Sequence, residues 1–160
     1  MTAQPAQPAQ PAESDRVRLL DVNLLVALAW PHHVLFVPAQ RWFGSARTRG
    51  WATTPTTEAA LARLSMNPAV AGQAPAWPTV VELIRRLRAV EGHQLWEDGV
   101  DLTEDRVVGR ARIVGHRQVT DVLLAAVAAR HRGRLATVER GVVEALHPDD
   151  RHLVEIVPDA

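Results

Sequence analysis

The chain has 160 residues, 47% of them hydrophobic, which corresponds to one domain with a substantial core and excludes a chain disordered throughout. Its uninterrupted apolar runs, such as Leu24 to Trp30, are far shorter than the ~20 residues of a membrane helix, and the absence of Cys excludes disulfides and thiolate metal sites. The 18 basic residues, all Arg, equal the 18 acidic ones, so no global field steers the protein toward nucleic acid.

The chain begins with three repeats of Ala-Gln-Pro, a composition that cannot form a core. A disordered tail is therefore predicted over 1–16 and a single folded domain over 17–160. This start has neither the basic nor the apolar region of a signal peptide, so we expect a cytoplasmic protein without a membrane partner.

Strands and helices are predicted to alternate through the first half of the domain. The evidence is the spacing of apolar residues, together with Pro and small polar residues at the expected helix ends. In chain order, this half is predicted to contain a strand at 17–21, helices at 23–30 and 38–46, a strand at 50–54 and a helix at 57–65 capped by Thr56.

The same alternation continues after a Pro-rich, Ala-rich linker. The second half is predicted to contain a helix at 78–90, a strand at 93–96, a short helix near 103–108 within an ambiguous stretch, a helix at 117–130, a strand at 134–138, a short helix at 141–146 and a last strand at 153–157. Strands that alternate with helices indicate βαβ units, and therefore an α/β fold with a mainly parallel sheet covered on both faces.

Four acids are predicted at junctions between a strand and the following helix. Ligands of open parallel sheets bind outside the carboxyl ends of the strands, so acids at these junctions converge on one edge. The other acids are predicted on polar helix faces, in loops or, for Glu155, on the outward side of the last strand. The four junction acids are Asp21, Glu58, Asp121 and Glu139.

Each of these acids alone also has an ordinary structural explanation. Acids in a first helical turn are favoured by the macrodipole, which would account for Glu58 and Asp121. Asp21 could cap a helix, and Glu139 could be an exposed turn residue. Four carboxylates in one cleft, however, repel each other unless protons or cations neutralise them. Oxygen ligands without Cys suit Mg²⁺ or Mn²⁺, which in such a cluster can activate water for phosphodiester cleavage.

Four segments of the chain occur in the order and spacing of the PIN domain, and more narrowly resemble the VapC-type toxins of bacterial type II toxin-antitoxin modules. They are LLDVNLL at 19–25, TPTTEAALARLSMNP at 54–68, GHRQVTDVLL at 115–124 and RLATVERG at 134–141. The resemblance covers nearly all of the chain outside the tail. It implies a three-layer α/β/α sandwich, a Mg²⁺- or Mn²⁺-dependent endoribonuclease, a VapB-type antitoxin as partner and a homodimer.

The resemblance also assigns residues by position. Asp21, Glu58 and Asp121 match the acidic triad of the family, and Glu139 stands where the family usually has Asp. Glu is one methylene longer, so it could ligate through a shifted carboxylate or a bridging water. Two polar residues match positions that flank the acids, where they would hold the ligands in place or serve as ordinary caps and turn residues. These two are Asn23 and Thr137.

The segment 106–117 contains four Arg and no acid, and it leads directly into Asp121. Arg side chains that contact phosphates position a nucleic acid without reading its sequence, so Arg110, Arg112 and Arg117 are candidates for binding the RNA backbone. A solvated face, or a surface that binds an acidic antitoxin, explains the same segment.

Five Trp are many for a domain with two Phe. Most are expected in the core. The others could line a hydrophobic groove for an antitoxin helix or form a homodimer patch, since Trp is enriched at interfaces.

Two other functions are compatible with this sequence. Glu139 in place of Asp would suit a catalytically weakened PIN domain that acts mainly as a binding partner. Another metal-dependent phosphoesterase, such as a phosphatase or a receiver-like domain, is disfavoured because the chain has no Lys and no Gly-rich phosphate loop after any strand.

Overall fold

The computed structural model describes Ala12 and residues 15–159. The tail predicted over 1–16 thus lies almost entirely outside the described residues. The strands are β1 (Arg18–Leu20), β2 (Trp51–Thr53), β3 (His93–Leu95), β4 (Arg134–Thr137) and β5 (Val154–Ile156). The helices are α1 (Val22–Ala29), α2 (Phe36–Ala46), α3 (Pro55–Ser65), α4 (Pro68–Ala71), α5 (Trp77–Arg88), α6 (Arg106–Arg110), α7 (His116–Arg130) and α8 (Gly141–Ala145), with 3₁₀ turns at Arg47–Arg49 and Pro148–Leu153.

The five strands form one sheet in the order β3-β2-β1-β4-β5, and every neighbouring pair is parallel. Strand β1 is central, and its Leu19 is in register with Ala52 of β2 and Leu135 of β4. The carboxyl ends of all five strands therefore lie along one edge of the sheet. The predicted parallel α/β fold is confirmed.

Side chains that alternate along the strands divide the core into two layers. On one face, Leu19 and Leu135 pack with α7 and α8. On the other face, Leu20, Trp51 and Ala136 pack with α1, α2 and α3. Because helices cover both faces, the architecture is the three-layer α/β/α sandwich that the resemblance implies.

Several predicted boundaries were wrong, each for a local reason. Thr54, not Thr56, caps α3, because Pro55 occupies the first helical position and Thr57 completes a capping box with Thr54. In the ambiguous stretch the helix is α6 rather than 103–108, since the side chain of Asp105 accepts hydrogen bonds from two backbone N–H groups of its first turn.

The membrane prediction concerns helix length and polarity. Among the helices of the described residues, none combines the length and the apolar character that crossing a membrane requires.

Candidate functional site

Asp21 lies directly after β1 and is the N-cap of α1. The carboxylate accepts a hydrogen bond from the Val22 backbone N–H at 2.6 Å and another from the Thr137 hydroxyl at 2.9 Å. Only 1% of the residue is exposed. Burial raises the pKa of Asp21, and the nearby charge of Glu139 raises it further. The acid is therefore held rigidly at the carboxyl edge of the central strand.

Thr137, the last residue of β4, joins Asp21 to Glu139. Its hydroxyl donates to Asp21 and accepts the backbone N–H of Glu139 at 3.0 Å. The carboxylate of Glu139 in turn accepts the side-chain amide of Asn23 at 3.2 Å. Of the two polar residues predicted to flank the acids, Thr137 thus bonds to both Asp21 and Glu139, and Asn23 bonds to Glu139. Together they link the ends of β1 and β4.

Asp121 is the third acid of this group. The three acids Asp21, Asp121 and Glu139 form the triad pocket, which differs from the acidic triad of the family because it contains Glu139 and not Glu58. Asp121 is the sixth residue of α7, beyond the first turn, so the first-turn macrodipole does not explain it. Burial and the charges of Asp21 and Glu139 raise the pKa of Asp121 to about 6. Within the described part of the chain, its carboxylate has no hydrogen-bond or ion-pair partner. Asp121 is thus a half-buried acid whose charge is not compensated.

Glu58 lies in the first turn of α3 and has different neighbours. Its carboxylate accepts the Thr53 hydroxyl at 2.7 Å, the Arg88 Nε at 2.9 Å and the Arg88 Nη2. Burial alone would raise the pKa of Glu58, but the hydrogen bonds from Arg88 and Thr53 lower it. The guanidinium of Arg88 thus neutralises the fourth acid within the protein. No hydrogen bond among the described residues joins Glu58 to the triad pocket.

The residues that surround Glu58 were missed by the sequence analysis. Thr53 ends β2, so its place at the carboxyl edge could have been inferred from the strand alone. His93, whose Nε2 lies 2.8 Å from the Thr53 hydroxyl, begins β3, and burial lowers its pKa. Arg88 is the last residue of α5, and no sequence signal links it to an acid 30 positions earlier.

The geometry of the four acids and the chemistry of their donor atoms differ in how well they suit a metal ion. Among the described residues, no group of three or more His, Asp or Glu side chains is arranged to hold an ion. The donors nevertheless fit Mg²⁺ or Mn²⁺, because carboxylate oxygens are the ligands these ions prefer. The uncompensated charge of Asp121 beside Asp21 and Glu139 also fits, since a cation would relieve their repulsion.

The three Arg candidates for RNA binding differ in their surroundings. Arg110 is ion-paired, with its Nη2 at 2.7 Å from the Asp150 carboxylate and its Nη1 at 3.6 Å from that of Asp149. Arg112 and Arg117 are exposed, and neither side chain has an ion-pair partner among the described residues. The latter two are therefore available to a nucleic acid, whereas Arg110 fastens α6 to the 3₁₀ turn at Pro148–Leu153.

Sequence comparison identifies relatives over most of the chain. The chain is 42% identical to "Ribonuclease VapC38" of Mycobacterium tuberculosis over 139 residues, and these residues cover 87% of this chain and 96% of that protein. It is 40% identical over 127 residues to "Ribonuclease VapC39" of the same organism, covering 79% and 91%. "Ribonuclease VapC29", also from M. tuberculosis, is 36% identical over 131 residues, covering 82% and 91%. The chain matches no protein-family model.

Proposed function

Because the chain belongs to the family of VapC ribonucleases, we propose that it is an endoribonuclease toxin of a toxin-antitoxin module and that it requires Mg²⁺ or Mn²⁺. The observation that carries this proposal is the triad pocket. Two acids fixed at the ends of neighbouring strands and one uncompensated acid on α7 share the carboxyl edge of the sheet, where α/β proteins bind their ligands.

Asp21, Asp121 and Glu139 would hold the ion. A bound Mg²⁺ or Mn²⁺ would supply a more acidic water and stabilise negative charge on a phosphodiester. The chain's own residues orient the ligands. Thr137 and the Val22 N–H fix the Asp21 carboxylate, and Asn23 restrains that of Glu139.

Glu58 is the fourth proposed ligand. It would have to exchange Arg88 for the ion, because both of its oxygens now accept hydrogen bonds from that guanidinium. Arg112 and Arg117, exposed on the approach to Asp121, would bind the RNA backbone. Single-stranded or looped RNA is the expected substrate, because its backbone and bases are accessible.

The proposal is tested by the substitution Asp21→Asn in the purified protein. The variant keeps the shape of the side chain but loses the charge that would hold the ion. We expect RNA cleavage in Mg²⁺ or Mn²⁺ to fall at least ~100-fold, more than the loss typical of residues that only orient a ligand. Cleavage of a labelled RNA is followed on denaturing gels, and EDTA should abolish it in the wild type.

The matched control is Glu144→Gln, which removes the same charge from an exposed position of α8. It should cleave RNA as the wild type does. Undiminished cleavage by Asp21→Asn would refute the site. A wild type that cleaves no RNA with either ion, yet binds a small protein tightly, would favour the catalytically weakened binding domain.

The partner we propose is a VapB-type antitoxin, and the expected compartment is the cytoplasm. Support comes from an apolar cavity of about 530 Å³ between α1 and α5, lined in part by Trp30 and Leu83. Trp77, the first residue of α5, is 56% exposed. An amphipathic helix would bury such surfaces. Co-purification of the chain with the product of a neighbouring small gene, lost in a Leu83→Asp variant, tests this partner.

A homodimer is also proposed, from the family alone, and light scattering tests it.

A further inference from the structure

A second cavity lies at the edge of the sheet opposite the triad pocket. Its volume is about 220 Å³, and its lining includes Arg16, Gly133 and His152. Arg16 precedes β1, Gly133 immediately precedes β4 and His152 lies just before β5. The cavity is therefore formed where these parallel strands begin, whereas Asp21 and Glu139 follow the strands at their carboxyl ends.

The lining of this cavity is strongly basic. Arg16, Arg106 and Arg132 contribute three guanidinium groups, and His152 adds an imidazole. Among the described residues, no Asp or Glu lines it. Arg106 has one acidic neighbour, Asp150, at 3.5 Å, and that carboxylate also pairs with Arg110. The guanidinium groups of Arg16 and Arg132 have no partner within the described part of the chain.

Arg132 has a backbone conformation that is unfavourable for Arg. Its φ is +55°, and no other non-glycine residue of the described chain has a positive φ. The residue follows the end of α7, where the Arg132 N–H bonds to Ala129 and the Gly133 N–H to Ala128, as in a Schellman motif. Gly is the usual residue at this left-handed position because it has no Cβ. An Arg that retains this conformation points to a role for its side chain.

The neighbouring glycine is required for a different reason. A Cβ at Gly133 would lie 2.4 Å from the Trp96 ring and 2.6 Å from the Val17 carbonyl oxygen. The close approach of strand and ring thus fixes Gly at 133, but it places no such demand on 132. Arg132 is therefore not imposed by packing.

The geometry points to a binding site for a phosphate group of the RNA backbone in this cavity, where Arg16, Arg106 and Arg132 converge. This inference rests on the proposed ribonuclease function. Guanidinium groups bind phosphate oxygens through paired hydrogen bonds, and a cavity of about 220 Å³ has room for a phosphate. The site would hold the RNA without reading its sequence.

One RNA chain can reach both edges of the sheet. Asp21 lies five positions after Arg16, so the two edges are roughly 16 Å apart at ~3.3 Å per residue of strand. Because helices cover both faces of the sheet, an RNA has to pass around them, so an RNA several times longer than this distance could contact the cavity while another of its phosphates lies at the triad pocket. RNA is favoured over an acidic protein because its phosphates repeat along the chain and supply both contacts.

The substitution Arg132→Gly tests the site without endangering the fold, because Gly relieves the left-handed strain. The denaturation midpoint should be at least that of the wild type. Binding of a fluorescein-labelled single-stranded RNA is measured by anisotropy in EDTA, over a series of KCl concentrations, so that no cleavage occurs. We expect about a 3- to 10-fold loss of affinity and a salt dependence shallower by ~0.7 in log–log slope, the value for one lost phosphate contact.

Two further variants separate the site from general charge. Arg16→Gln removes a second lining guanidinium and keeps the backbone carbonyl that accepts a hydrogen bond from Arg18. It should reproduce the loss. Arg63→Gln removes the same charge from an exposed position of α3 and should bind RNA as the wild type does. Inorganic phosphate should compete with the RNA for the wild type and raise the thermal midpoint of the wild type. It should raise the thermal midpoint of Arg132→Gly less.

Wild-type affinity and salt slope in Arg132→Gly would overturn the inference. Poly-glutamate binding that depends on Arg132, combined with RNA binding that does not, would also overturn it and assign the cavity to an acidic protein. A phosphate effect that Arg132→Gly abolishes, with RNA affinity unchanged, would mean that the cavity binds free phosphate only. RNA cleavage by the wild type is scored separately, so the ribonuclease function can fail while the binding site stands, and the reverse.

Discussion

Asp121 and Glu58 are both acids near the start of a helix at the same edge of the sheet, yet their environments shift their pKa values in opposite directions. Asp121 lies beside two other carboxylates, and its pKa is raised to about 6. Glu58 lies beside Arg88 and Thr53, and its pKa is lowered. The difference is caused by immediate partners rather than by position in the fold.

This contrast divides the four acids of the proposed site into two kinds. The triad pocket holds negative charge that nothing in the described protein neutralises, so it has most to gain from a cation. Glu58 already has a cation, the guanidinium of Arg88, which a metal would have to replace. The contribution of each kind of acid to the free energy of unfolding can therefore be tested independently, by removing the partner of Glu58 or the charge of Asp121.

After that of Asp21→Asn, the largest effect is expected when the hydroxyl that organises the triad pocket is removed. Thr137→Val would leave the buried Asp21 carboxylate and the Glu139 N–H without their shared partner. We expect RNA cleavage in Mg²⁺ to fall about 10- to 100-fold, as when groups that orient metal ligands are lost. Steady-state cleavage of a labelled RNA measures the effect.

Thr137→Ser is the matched control because it keeps the hydroxyl and removes only a methyl group. Its cleavage rate should remain close to that of the wild type. Equal losses in the Val and Ser variants would show that packing, rather than the hydrogen bonds, accounts for the role of Thr137.

A smaller effect is expected on the Glu58 side. Arg88→Gln would leave a nearly buried carboxylate without its cation, and should lower the free energy of unfolding by roughly 2 kcal/mol at pH 7, allowing for the exposure of Arg88. Because the folded-state pKa of Glu58 is lowered, the stabilisation is present above its unfolded value of 4.5 and is lost as the pH falls through the folded-state pKa. Urea denaturation at pH 7 and pH 3 measures both.

Arg86→Gln is the control for that change. It removes an Arg from the same helix whose partner, Glu82, is exposed, so less than ~0.5 kcal/mol should be lost. If Arg88→Gln were no more destabilising than Arg86→Gln, the Glu58 pair would contribute nothing and the contrast with the triad pocket would fail.

Much of the fold could be predicted because its signals are local. Periodic apolar residues and Pro at helix starts gave all five strands and most helices to within a few residues. Boundaries failed where two local signals compete, as at Thr54 and Thr56, either of which can cap a helix. The end of each strand was placed well enough to bring Asp21, Asp121 and Glu139 to one edge.

Long-range pairing of charges could not be predicted, because it depends on how the elements pack. The partner of Glu58 lies 30 positions away on α5. Alternation along β5 predicts that Glu155 points outward, but it bonds to Arg18 at 3.0 Å and to the Trp42 indole at 2.9 Å. That expectation was wrong, because in a sheet covered on both faces an alternating acid can meet a buried Arg of another strand, here β1, which is separated from β5 by β4.

The smallest effect, and the most direct measure of the uncompensated charge, is the stability of Asp121→Asn without divalent ions. Asn is close to the protonated acid in shape, so the variant removes the repulsion from Asp21 and Glu139 without creating a cavity. We expect it to raise the free energy of unfolding by roughly 1 kcal/mol at pH 7.5, after allowance for solvent screening. Urea denaturation in EDTA provides the measurement.

The pH dependence of that difference identifies its cause. Since the pKa of Asp121 is raised from 3.8 to about 6 in the folded state, the wild type loses stability as the pH rises through this interval, whereas the variant does not. The gain should therefore be full above pH 6 and vanish below about pH 4, where Asp121 is protonated in both folded and unfolded protein. Glu144→Gln should show neither the gain nor its pH dependence. A gain that persists at pH 4 would attribute the stabilisation to packing, and a loss at pH 7.5 would mean that Asp121 has a stabilising partner in the folded protein.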